Sequence, residues 1–99
     1  MQVKQQQLNV ELGEKEAEGI YSNIAMIVHS PQEFVIDFAR VTPGTRKTRV
    51  YARIIMTPAH ARMLLMGLEE NIKKYEAVHG PIQMPGKDDK NIGFQSPRA

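Results

Sequence analysis

At 99 residues, with 41% hydrophobic and 24% charged side chains, the chain has the make-up of one soluble globular domain near the lower end of comfortable core size. The absence of cysteine excludes disulfides, thiolate nucleophiles and thiolate metal sites. The net charge of +2 is weak, and the longest aliphatic stretch, Ile24 to Val28, is far too short to span a bilayer.

The opening MQVKQQQLNV lacks the apolar core of a secretory signal, so a cytoplasmic protein is expected. Residues 1–6 are expected to be flexible, with a single β-β-β-β-α domain over residues 7–80. Leu8, Val10 and Leu12 alternate with Gln7, Asn9 and Glu11, the period of a half-buried first strand. Gly13 and the polar run EKEAEG break it. The second run, Ile20 to His29, is apolar on both parities, as in a strand covered on both faces. Within it Ser22 and Asn23 either line a small pocket or face solvent near the strand's start. Ser30-Pro31-Gln32-Glu33 reads as a tight reversal, because proline cannot continue the ladder.

The third run carries Phe34, Ile36 and Phe38 on one face and Val35, Asp37 and Ala39 on the other. Pro43-Gly44 suits the central positions of a type II turn, where glycine supplies the positive φ. The fourth run, Thr48 to Met56, alternates Val50, Ala52, Ile54 and Met56 with Arg49, Tyr51, Arg53 and Ile55. Short connections favour an antiparallel meander. Thr57-Pro58 is a strong helix start, a hydroxyl N-cap followed by proline at the first helical position. From there Ala61, Leu64, Leu65, Leu68, Ile72 and Tyr75 recur at helical spacing, and Gly80-Pro81 makes the stop. The predicted fold class is therefore α+β: a four-stranded antiparallel β-meander and one long C-terminal helix packed on one face, in an oligomer. Residues 81–99 are expected to form a mobile tail.

Charge is unevenly spread. Residues 20–57 set five cations (Arg40, Arg46, Lys47, Arg49, Arg53) against Glu33 and Asp37. The most specific chemical feature is Arg49-x-Tyr51-x-Arg53, a basic strand with an interleaved aromatic, suited to single-stranded nucleic acid. A solvated or interfacial arginine face, with Asp37 in a cross-strand ion pair, is the simpler account. Met63 and Met66 lie off the main helical stripe beside Gly67, which points to a close helix–helix contact. His29, His60 and His79 lack any second ligand at metal spacing, so no metal and no cofactor are expected. With no nucleophile elbow, phosphate loop or dinucleotide fingerprint, the chain reads as a non-enzyme.

The segments EGIYSN, HSPQEFVIDFARVTPG, RIIMTPAHARMLL and LEENIKKYEAVHGPI resemble those of a prokaryotic family of unknown function, DUF3467, over about residues 7–82. The resemblance implies a small bacterial protein and brings no catalytic or ligand residues with it. In element order alone the chain is also similar to the SecB export chaperone, although it lacks that family's acidity and its helix pair. The expected function is an oligomeric interaction module, a homodimer or higher, that binds protein in preference to nucleic acid and has no membrane partner. An extended polypeptide held on Tyr21, Ile27, Val35 and Ile55 is one version. Nucleic-acid binding through Arg49, Tyr51 and Arg53 is the alternative.

Overall fold

The computed structural model describes residues 8–44, 46–85 and 94–95. A short helix, α1 (Glu14–Glu18), precedes three antiparallel strands, β1 (Ile24–His29), β2 (Phe34–Arg40) and β3 (Arg49–Met56), and a long helix, α2 (Pro58–His79). The fold is α+β, with β2 central between β1 and β3. A two-residue segment, β4 (Phe94–Gln95), lies parallel to β1 beside Ala25 and Met26.

Local chemistry sets the strand ends. Ser30 closes the β1–β2 reversal: its N–H donates to the Glu33 carbonyl at 2.9 Å, and its hydroxyl accepts from the N–H groups of Gln32 and Glu33, each at 3.2 Å. Gly44 in the β2–β3 connection has φ +88°, a value that L side chains rarely adopt. Ser22 and Asn23 do not simply face water but bond to the end of β2 and the residue after it. The Asn23 side chain accepts from the Val41 N–H at 2.7 Å and donates to the Val41 carbonyl at 3.1 Å. An amide side chain thereby mimics one more peptide of the β1–β2 ladder. Ser22 Oγ donates to the Ala39 carbonyl at 2.8 Å beside it.

Register assigns the two faces of the sheet, because directly paired residues point the same way. One face carries the rows Ala25–Phe38–Ala52, Ile27–Ile36–Ile54 and His29–Phe34–Met56. The other carries Ile24–Ala39–Val50, Met26–Asp37–Arg53 and Val28–Val35–Ile55. The β2–β3 pairing is interrupted between Phe38 and Ala39, whose partners are Ala52 and Val50, so Tyr51 is the extra residue of a β-bulge. Alternation on β3 therefore changes phase at Tyr51.

Among the described residues only Ile24, Ile36 and Ala39 are buried, and they are divided between the two faces. Among the described residues no helix covers either face. Helix α2 starts as its sequence dictates: Thr57 accepts from the His60 N–H at 3.2 Å, and Pro58 occupies the first turn. It ends at Gly80, which has φ +86° and whose N–H donates to the Glu76 carbonyl at 2.9 Å. The packing between elements lies within the sheet, and α2 does not lie along it. This corrects the expected docking of Ala61, Leu64, Leu65, Leu68, Ile72 and Tyr75 on the sheet. The reason is the junction. One residue, Thr57, extended at φ −71° and ψ 158°, separates β3 from α2. That is too little slack to fold a helix about 33 Å long back across strands about 20–26 Å long.

The expected first strand is likewise absent. Leu8, Val10 and Leu12 have no ladder partner and are 72–85% exposed. Period-two alternation marks an amphipathic segment but names no edge for it to join. Here α1 occupies the connection that a hairpin to β1 would need. The expected flexible N-terminus and most of the expected mobile tail lie outside the described residues, and residues 81–85 have no regular structure.

Candidate interaction surface

The four residues expected to form one apolar face do not share one. Ile27 aligns with Ile36 and Ile54, whereas Val35 and Ile55 align with Val28 on the opposite face. Tyr21 lies ahead of β1, exposed, with its carbonyl accepting from Arg40 Nε at 3.4 Å. Two apolar sheet surfaces replace the single expected one: an aromatic face around Phe34 and Phe38, and an aliphatic face around Val28, Val35 and Ile55.

The bulge also divides the arginine triplet. Arg53 stays in register with Asp37, donating from Nε to Oδ1 at 2.7 Å and from Nη2 to Oδ2 at 2.8 Å. This is the cross-strand ion pair foreseen from sequence, in bidentate geometry. The forked hydrogen bond from Arg53, reinforced by its charge, holds the Asp37 carboxyl below its ordinary value against the opposing effect of partial desolvation. Arg49 pairs instead with Arg40, whose place on β2 is on the aromatic face. Both guanidinium groups lie over the Tyr51 ring, at 4.5 Å for Arg40 and 5.4 Å for Arg49. Such cation–π stacking steadies two like charges side by side. The basic cluster is thus Arg40, Arg49 and Tyr51, with Arg53 engaged elsewhere. The sequence places Arg40 across the hairpin from the triplet, and the strand register brings it onto Tyr51 in place of Arg53.

On α2, Met63 and Met66 are both about 60% exposed, and a Cβ built on Gly67 would meet nothing within 4 Å. The Gly67 carbonyl accepts from the Asn71 side chain at 2.9 Å. The main stripe is equally open: Leu64, Leu65, Leu68 and Tyr75 are each about half exposed. Its first turns share a cavity of about 310 Å³ with the sheet, lined by Phe34, Pro58, Ala61, Arg62 and Leu65.

Glu33 and His60 line a second, open depression of about 310 Å³ with Ile55, Met56 and Thr57. The His60 Nδ1 lies 2.8 Å from the Thr57 hydroxyl, so the ring is engaged with the helix cap. Among the described residues no group of three or more histidines and carboxylates is placed to hold a metal ion, and no helix is long and apolar enough to cross a membrane.

Residues 1–84 match the model of the family described as protein of unknown function, DUF3467. The chain belongs to that family. The match takes in α1, the three antiparallel strands and α2, and extends the resemblance seen in the sequence by six residues at its start and two at its end. No curated protein and no solved structure matches the chain.

Proposed function

We propose that this DUF3467 protein is a homo-oligomeric, non-enzymatic interaction module of the cytoplasm, in which sheet and helix surfaces of several copies complete one another's cores. The observation that carries this reading is the apolar stripe of α2, which stands open to solvent along its length in the single chain. Two buried isoleucines and an alanine make a poor return for ordering three strands and a 22-residue helix. Most of a helix's stability in a protein comes from the packing of its apolar face, so the stripe needs a partner. In the assembly the alternating Leu8, Val10 and Leu12 segment adds the fourth strand to a sheet edge. Light scattering on the purified chain at micromolar concentration tests the reading. At least twice the 11.2 kDa protomer mass is expected, and 11.2 kDa overturns it.

The face left uncovered by assembly is the binding surface, and extended polypeptide is its proposed ligand, as in SecB-like chaperones. Supporting this, both sheet faces offer rows of apolar side chains, with Ile54 at 45% and Ile55 at 56% exposure. The oligomer is expected to delay aggregation of an unfolded protein. No delay at stoichiometric excess removes the chaperone version. Nucleic-acid binding is favoured by one observation, the Arg40–Tyr51–Arg49 stack. It requires salt-sensitive oligonucleotide affinity that falls in Arg49→Ala and survives Arg53→Ala.

A further inference from the structure

Within the broad apolar surface of α2 runs a narrower row that ends on a histidine. Ala61, Leu65, Leu68, Ile72, Tyr75 and His79 are spaced 4, 3, 4, 3 and 4 residues apart, the alternation of a coiled-coil seam. With Leu65 and Ile72 as a positions, and Ala61, Leu68 and Tyr75 as d positions, the flanks are chemically distinct. One flank holds Arg62, Glu69 and Glu76. The other holds Leu64, Asn71 and Val78. Met63, Met66 and Gly67 fall on the outer side, away from the seam.

We infer that α2 pairs with α2 of a second copy of this chain, antiparallel, with Leu68 facing the partner's Ile72 and Leu65 facing the partner's Tyr75. This rests on the oligomeric reading above and gives it a partner, a direction and a register. In an antiparallel pair a positions meet d positions, and this register also sets Ala61 against the partner's His79. The flanks then match: Arg62 lies beside the partner's Glu76, twice by symmetry, and Leu64 beside the partner's Val78, again twice. Asn71 meets its own copy, where two amides can exchange hydrogen bonds. Only Glu69 meets a like charge, eased by Lys73 one turn along its own helix. The parallel alternative sets Leu64 beside the partner's Glu69 and offers no ion pair.

The cavity at the start of α2 supports the same register independently. It is lined by Phe34, Pro58, Ala61, Arg62 and Leu65, and the register delivers the partner's Tyr75 and His79 to that place. Those two rings are already paired in the single chain, 4.7 Å apart and tilted by 43°. A preformed aromatic pair thus faces an apolar recess of about 310 Å³ bounded by Phe34.

The cysteine-free chain allows a direct test. Full-length A61C and H79C are prepared separately, mixed under denaturing conditions, refolded and oxidised. Light scattering is recorded on each, and circular dichroism verifies that helix content is kept. The mixture is expected to form an A61C–H79C disulfide, while each variant alone does not, because copies of residue 61 lie about 27 Å apart along the pair. Cross-linking of A61C with itself overturns the antiparallel register. An oligomer without any of these cross-links overturns the α2 pairing but leaves the oligomeric reading standing. A monomer defeats both. As a second readout, R62E is expected to weaken self-association about tenfold and R62E/E76R to restore it. No effect of R62E, or no rescue, contradicts the register.

Discussion

Arg53 on β3 grips Asp37 on β2 with two parallel hydrogen bonds of 2.7 and 2.8 Å, across directly paired positions. The pair is asymmetric in environment: the Asp37 side chain is 15% exposed and that of Arg53 62%. It places a fixed, neutralised polar spot in the middle of the aliphatic face. Because the folded Asp37 carboxyl is held below 3.8, its contribution to stability is fully present above that pH. It is lost as pH falls through the lowered folded value. Melting temperatures of the wild type and Asp37→Asn are expected to differ at neutral pH and to converge toward pH 2. A constant difference at all pH values contradicts this account of the pair.

The Thr57 hydroxyl satisfies a free N–H at the start of α2 and meets the His60 ring. Thr57→Ala is expected to cost about 1 kcal/mol in chemical denaturation, and Thr57→Asp to restore most of it.

Asn23 holds Val41 by both its backbone groups, and Asn23→Ala leaves those groups without their side-chain partner. A loss of about 1–3 kcal/mol is expected. Hydrogen exchange is expected to quicken at Val41 before it does at Ile36.

The two candidate faces of α2 are separable by charge insertion. Leu68→Glu, in the seam, is expected to reduce the assembly to monomers at micromolar concentration, whereas Met63→Glu, on the outer side, leaves the mass unchanged. The reverse pattern in sedimentation velocity assigns the helix contact to Met63, Met66 and Gly67 instead.

How much of this was legible in sequence divides by range. Local signals gave α2 from its hydroxyl cap and Pro58 to Gly80, along with the Gly44 turn and three strand runs, of which the first was expected to begin at Ile20, four residues ahead of the observed Ile24. Features set by pairing were not legible. A one-residue bulge at Tyr51 moves Arg49 and Arg53 to different faces, and no pattern within β3 announces it. The offset between β1 and β2 parities, which sets Ile27 apart from Val35, depends on the length of the Ser30–Glu33 reversal. The Leu8–Leu12 alternation carried strand character without an edge to join. The helical stripe is legible in sequence as an apolar face, but the expected cover, the sheet, does not lie against it. The single-residue β3–α2 junction was the sequence signal against that assignment.

On the proposed reading, α2 is stable only when its stripe is covered by another copy. Thermal unfolding, followed by the helical circular dichroism signal over a hundredfold range of protein concentration, decides this. Association linked to folding raises the melting temperature by several degrees across that range. A melting temperature independent of concentration, with the helical signal intact at the lowest concentration, contradicts the claim.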